Sequence, residues 1–271
     1  MKTVDRIVEL IRTTSSSLPA DVERTLKRAL ARERRGGSAA VVLSTILENC
    51  KLARRQSTPL CQDTGTLTFL VSAKLRRRVT PAVLKQAVAR ATERGYLRRN
   101  TIDSLTGKSY DDNCCEGAPV VHYVDSAAAT VTLIMKGGGS ENMSRQYSLP
   151  DAALGAGRDL AGVRKCLLDA VTKTQGYGCA PGILGVCIGG DRATAYETAK
   201  LQLLRSLDEK PTAFEAKILK EANTLGIGPM GLGGRTTLLG VKVAARPRVP
   251  ASFFVTVAYM CWACRRGTIT L

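Results

Sequence analysis

Apolar residues recur at helical spacing from the start of the chain. Val22, Leu26, Ala29 and Leu30 follow Asp21, and after Gly36 and Gly37 the same period returns through Val42, Ile46 and Cys50. Residues 1–55 are therefore predicted as a helical lead-in, with Asp21 capping one helix. Beyond it the period shortens, and residues 66–75 alternate as a strand does. Pro81 opens a helix that Gly95 ends. Residues 119–124 and 129–136 read as strands joined through Asp125-Ser126, a hairpin or a short connection. Residues 159–173 form an amphipathic pattern with Leu160, Val163, Leu167 and Val171 facing inward. A strand at 183–188, a helix from Gly189-Gly190 to about Leu207 and a helix at 212–222 follow, then apolar strands at 238–244 and 253–260. Strands and helices alternate after residue 66, which predicts a mixed α/β fold. The expectation is one domain over 1–271, with the lead-in at 1–55 and no internal repeat.

Four loops interrupt this pattern, and they hold the candidate chemistry. Residues 59–66 place a thiol, an amide and a carboxylate side by side at Cys61, Gln62 and Asp63. Residues 136–142 read Lys-Gly-Gly-Gly-Ser-Glu-Asn, where bare backbone can approach a ligand, another chain or a cluster. Cys179 sits in the Gly/Pro loop 176–182 before a strand, repeating the setting of Cys61. Residues 223–237 carry five glycines in fifteen positions, too long and irregular for a simple turn. None of these matches a P-loop or a dinucleotide fingerprint, so no nucleotide site is read.

Charge and cysteine content narrow the function classes. The net charge is +17, yet the basic residues come in short runs such as Arg34-Arg35 and Arg76-Arg77-Arg78 without interleaved aromatics. Solvated surface explains such runs, and so does attraction of an anionic substrate or an acidic partner subunit. A basic, non-catalytic nucleic-acid-binding protein is the reading from a different class. The nine cysteines are odd in number. No signal-peptide run opens the chain and no stretch is long enough to span a membrane, so the expectation is a reducing, cytoplasmic setting without disulfides. Cys166 and Cys187 lie among aliphatic residues and read as core. Cys114-Cys115, or Cys261 with Cys264, make a poor zinc clamp, and the lone His122 falls in a strand. Three dispersed thiolates in rigid loops can instead hold an iron–sulfur cluster with one iron left open, a Lewis acid for a substrate hydroxyl.

Taken in order, Cys61-Gln62-Asp63-Thr64-Gly65, the 136–142 string, Cys179-Ala180-Pro181-Gly182, Leu225-Gly-Ile-Gly-Pro-Met-Gly231 with Gly233-Gly-Arg-Thr-Thr237, and Cys261-Trp-Ala-Cys-Arg-Arg266 resemble the α subunit of class I fumarate hydratase. The L(+)-tartrate dehydratase α subunit is the near relative. The resemblance implies an oxygen-sensitive [4Fe-4S] cluster on Cys61, Cys179 and Cys261. It implies reversible trans addition of water to a dicarboxylate: fumarate to L-malate, a step of the tricarboxylic acid cycle, with tartrate to oxaloacetate as the alternative. It implies substrate contacts from Gln62, Asp63, Arg98 and the backbone at Gly138 and Gly139, with Asp63 close to proton transfer. The remaining carboxylate clamps and the general base would come from a β subunit in an α2β2 assembly. Residues 97–100 and the terminal Cys-Trp-Ala-x-Arg-Arg-Gly lean toward the tartrate relative, while Gly-Gly-Gly-Ser-Glu-Asn leans toward fumarase. Many relatives have Cys-Pro-Pro where this chain has Cys179-Ala180-Pro181, and the tract 109–117 departs from their Asn-rich string.

Overall fold

A computed structural model describes residues 2–271. Helices α1 (Thr3–Ser16), α2 (Ala20–Arg32) and α3 (Ser38–Gln56) come first. There follow β1 (Thr66–Ser72), α4 (Pro81–Glu93), β2 (Thr101–Ile102), β3 (Ser109–Tyr110), β4 (Val120–Val124), β5 (Thr130–Lys136), α5 (Gly138–Asn142) and β6 (Arg145–Ser148). The chain ends with α6 (Leu160–Thr174), β7 (Gly182–Gly189), α7 (Arg192–Gln202), α8 (Ala213–Thr224), β8 (Leu238–Arg246), β9 (Phe254–Met260) and β10 (Arg265–Thr270). The fold is mixed α/β, as the alternation predicts. Two compact units divide the chain: one holds the segment through Pro19, Glu48–Gly138 and Ala263–Leu271, the other Ala20–Leu47 and Gly139–Trp262. The helical lead-in is thus shared between the units.

In the first unit a four-stranded sheet has the order β10-β5-β1-β4. Strand β4 runs parallel to β1, and β5 runs antiparallel to both β1 and β10. Of the hairpin or short connection expected between β4 and β5, the short connection is what forms; the two strands flank β1 on opposite sides. Apolar alternation sets the register. Leu67, Phe69 and Val71 of β1 and Val131, Leu133 and Met135 of β5 all enter one core, closed by Ile7 and Ile11 of α1 and Leu84 and Val88 of α4. The basic run at 76–78 is partly used in packing: Arg76 stacks over Tyr123 and Arg78 Nε donates to Thr3 Oγ1. Strand β10 and the short pair β2–β3 are too polar for the hydrophobic pattern to announce.

The second unit holds a sheet of order β6-β9-β7-β8, with β7 parallel to β8 and antiparallel to β9. Leu184 and Val186 of β7 join a core with α6 and α8. The intervening Gly185 faces α7, where a Cβ would strike the Ala199 carbonyl. Helices therefore cover both faces of this sheet. Asp159 caps α6 by accepting the Gly162 N–H at 2.7 Å. Val163, Leu167 and Val171 are buried as expected, but Leu160, the first residue of the helix, is 61% exposed. Helix α7 stops at Gln202, short of Leu207. Asp21 does not cap: it lies inside α2, buried, and its carboxylate accepts the Leu207 N–H at 2.7 Å. Thr212 and Glu215 form a capping box at α8. Among the described residues, no helix is long and apolar enough to cross a membrane.

Candidate active site

The first unit builds the Cys61 loop between α3 and β1. Its entry is pinned twice, by the Leu60 N–H donating to the Ser15 carbonyl and by Asn49 Nδ2 donating to the Leu60 carbonyl, each at 2.9 Å. Cys61 is half-buried, and its Sγ accepts the Asp63 N–H at 3.5 Å. The Gln62 side chain is exposed, with Oε1 3.6 Å from the Cys61 thiol. Two backbone donors hold the Asp63 carboxylate: the Gly65 N–H reaches Oδ1 at 2.8 Å and the Gly138 N–H reaches Oδ2 at 2.7 Å. Gly65 is required here on two grounds. Its φ is +74°, and a Cβ would come 2.5 Å from the Lys136 carbonyl oxygen. The Gly138 N–H is thus engaged by Asp63. Gly139 falls in the other unit.

Arg98 is placed by its backbone. Thr64, 2% exposed, donates from Oγ1 to the Arg98 carbonyl at 2.8 Å and accepts the Arg98 N–H at 2.9 Å. Asn113, 1% exposed, completes the frame. Its Oδ1 accepts the N–H groups of Asn100 and Thr101 and the Thr101 hydroxyl, while Nδ2 donates to Thr92 Oγ1 and the Arg98 carbonyl. Asn113 has a φ of 59°, a conformation Asn tolerates better than most residues. The Arg98 side chain stays exposed, whereas Arg99 pairs with Asp111 at 3.4 Å. Asp63, Gly138, Asn100, Thr101 and Asn113 line a cavity of about 250 Å³. That is smaller than most ligand pockets, which run from about 300 to 1,000 Å³. Cys61, Gln62 and Arg98 border this region in sequence but do not line the cavity. Thr64 and Asn113, which frame the Arg98 backbone, are not singled out by sequence reasoning, because their bonds reach residues distant in sequence.

The second unit brings Cys179 and Cys261 together. Cys179 sits in the left-handed region at φ 49°, with its thiol exposed. Its carbonyl accepts the Trp262 N–H at 3.3 Å, which ties the two cysteine segments to each other. The Cys261 N–H donates to Ser140 Oγ at 3.1 Å. Buried Tyr259 fills the floor beneath: a Cβ on Gly178 or Gly182 would overlap its ring. Burial pushes the Tyr259 phenol well above its ordinary value, and the nearby Cys261 and Cys179 add to the effect. The Gly-rich stretch 223–237 buttresses this loop, with the Met230 N–H on the Ala180 carbonyl at 2.9 Å and Gly231 packed on Gly176.

Residues 4–270 match the profile of the family described as fumarate hydratase (Fumerase). The chain belongs to the fumarate hydratase family. It is 48% identical over 98% of its length to a Geobacillus stearothermophilus protein provisionally named class I fumarate hydratase, of which it spans 54%, about half. It is 33% identical to a Methanocaldococcus jannaschii protein provisionally named L(+)-tartrate dehydratase subunit alpha, over 98% of this chain and 96% of that one. The L(+)-tartrate dehydratase subunit alpha of Escherichia coli K12 is 29% identical, over 94% of this chain and 86% of that one.

Within this family member the nine cysteines separate by environment. Cys166 and Cys187 are fully buried, and burial pushes the Cys166 thiol up to about 11 and raises that of Cys187. Desolvation also lifts Cys114 to about 11, with its thiol directed at the Lys85 carbonyl. Such thiols stay protonated and make poor metal ligands. Cys61, Cys179 and Cys261 lie in loops and are not buried, as is also true of Cys115. Among the described residues, no three His, Cys, Asp or Glu side chains gather closely enough to hold a metal ion as they stand. Cys61 belongs to the first unit, Cys179 and Cys261 to the second. As a donor set, three accessible thiols in pinned loops suit a thiolate-bound iron–sulfur cluster.

Proposed function

We propose that this chain is the iron–sulfur α subunit of a hydro-lyase that reversibly hydrates a small dicarboxylate, most directly fumarate to L-malate. The Asp63 carboxylate, fixed by two backbone N–H groups at the wall of a small cavity, carries the reading. The 48% identity to a relative named for fumarate hydration supports the substrate. L(+)-tartrate dehydration to oxaloacetate is the second reading. It is favoured by two relatives named as tartrate dehydratase alpha subunits, whose lengths this chain nearly fills. The naming of those two relatives as alpha subunits supports a β subunit as partner and an α2β2 assembly, in a reducing compartment such as the cytoplasm where the thiols persist.

Cys61, Cys179 and Cys261 would hold a [4Fe-4S] cluster, and its protein-free iron supplies Lewis-acid polarisation of the substrate's hydroxyl and carboxylate. The chain's own groups do the positioning. Arg98, with both backbone polar groups pinned by Thr64 and Asn113, presents an exposed guanidinium to a substrate carboxylate. Gln62 offers an exposed amide next to Cys61. Asp63 has no freedom to rotate away, since each oxygen is tied to a different backbone N–H, so its remaining lone pairs meet the substrate in one orientation. In this role it accepts or returns a proton at a carboxylate oxygen, opposite a base from the β subunit. The Gly138 backbone contributes by holding Asp63, and Gly139 lies in the segment that follows.

The deciding measurement is iron and acid-labile sulfide per chain after anaerobic purification, with hydration of fumarate and dehydration of L(+)-tartrate assayed on the same sample. About four of each per chain and turnover of fumarate establish the first reading. Turnover of tartrate alone moves the assignment to the second. No sulfide after anaerobic reconstitution sinks both and brings the basic binding-protein reading forward.

A further inference from the structure

Arg265 opens β10 and is 2% exposed. Its Nη2 donates to the Asp63 carbonyl at 2.8 Å. Nε and Nη1 are buried, yet neither has a hydrogen-bond partner among the described residues, and no carboxylate pairs with the guanidinium. Burying a cation without a counter-charge is costly, and each buried N–H left without an acceptor adds to that cost. A fold tolerates such a group where an acceptor arrives from outside the chain. The location narrows the choice, because the acceptor Arg265 already reaches is the peptide two residues after Cys61.

Resting on the hydro-lyase reading, we propose that Arg265 is a positioning residue that receives an anion at the Asp63 loop. Nη2 fixes the Asp63 peptide, and the N–H groups of Nε and Nη1, which point in different directions, remain as donors to an anionic acceptor. A planar guanidinium holds these donors in fixed directions and an ammonium does not. The acceptor has one chemistry and two sources: sulfur of a thiolate-ligated cluster, or a carboxylate of the substrate.

Full-length R265M and R265K, purified anaerobically in the assembly the wild type forms, distinguish them. Four quantities are read: thermal midpoint, iron and sulfide per chain, rate of cluster bleaching in air, and KM and kcat for fumarate. With the cluster as source, R265M bleaches about tenfold faster or retains less iron while KM holds. With the substrate as source, KM rises about tenfold while iron content and bleaching stay at wild-type values. R265K falls between wild type and R265M in either case. A folded R265M with wild-type bleaching, iron content and KM overturns the proposal. If R265M does not fold, wild-type values in R265K overturn it. Absence of iron, sulfide and hydration in the wild type itself appears in the control, sinks the hydro-lyase reading, and takes this inference with it.

Discussion

Thr64 and Arg98, 34 residues apart, exchange two hydrogen bonds, one in each direction, at 2.8 and 2.9 Å. A buried hydroxyl thereby sets the backbone of the arginine proposed to bind the substrate carboxylate. Thr64→Val keeps the shape and removes both bonds. Leaving the Arg98 N–H unpaired should cost about 1–3 kcal/mol, read as a lower thermal midpoint. KM for the dicarboxylate should rise more than kcat falls, because the lost interaction orients bound substrate. A lower midpoint with unchanged KM would mean that the pair is only structural.

Asn113 provides a second test of the same frame. Asn113→Asp retains the acceptor for Asn100 and Thr101 but loses both Nδ2 donors, including the one to the Arg98 carbonyl. Its carboxylate also sets a negative charge against that carbonyl. Stability should fall by about 1–3 kcal/mol, and KM should rise as in Thr64→Val. The double variant should cost less than the sum of the two, since both act on one segment. Additive losses in denaturant midpoint would show that the two residues act independently.

What the sequence disclosed and what it withheld follow one physical rule. Periodicity revealed α2, α6 and the strand β1, Pro81 and Gly95 bounded α4, and continuous apolar runs marked β7, β8 and β9. It hid β10, whose residues are mostly polar and whose pairing partner β5 lies far away in sequence. The same blindness left the β4–β5 link open between a hairpin and a short connection. Two apolar strands joined by a short connection look like a hairpin, until β1 is found between them. At the site, Cys61, Asp63 and the glycines announced themselves as unusual residues in short strings. Thr64 and Asn113 did not, because their importance lies in bonds to residues distant in sequence.

Asp63→Asn isolates chemistry from architecture. One of the two N–H donors at the side chain must then face an amide NH2, so orientation weakens, while the loop keeps its Cys61 and Arg265 contacts. Iron and sulfide per chain should stay at wild-type levels. Fumarate hydration should fall about 10²–10⁴-fold, the usual contribution of a positioned proton-transfer group. Undiminished kcat would remove Asp63 from the mechanism.

Glu215 supplies a pH test of the second unit. Burial pushes its carboxyl up, but the Thr212 and Val243 N–H groups and Arg205 outweigh this and hold it below the usual carboxylate range. Between the folded value and the unfolded value near 4.5, the unfolded chain binds more protons. The stabilisation is therefore complete above the unfolded value and is lost as pH falls through the folded one. Glu215→Gln should be less stable than wild type at pH 7 by about 1.5–3 kcal/mol, the range for hydrogen bonds to a charged group. The gap in urea midpoint should shrink in acid. A gap independent of pH would mean that the charge of Glu215 contributes nothing.

The cysteine series tests the ligand assignment by contrast. Cys61→Ser, Cys179→Ser and Cys261→Ser each replace an accessible loop thiol with a hydroxyl that iron binds poorly. Each should abolish cluster binding, read as visible absorbance with iron and sulfide per chain after anaerobic reconstitution. Cys166 is fully buried in α6, and its thiol, pushed up to about 11, stays protonated at neutral pH. Cys166→Ser should keep the chromophore and lose only stability, about 1–3 kcal/mol for a hydroxyl placed in an apolar core. The contrast matters because serine at any of the four positions can weaken the fold. Only a chromophore that disappears in the three loop variants and persists in the core variant separates ligation from stability, and one that survives all three loop changes refutes the assignment.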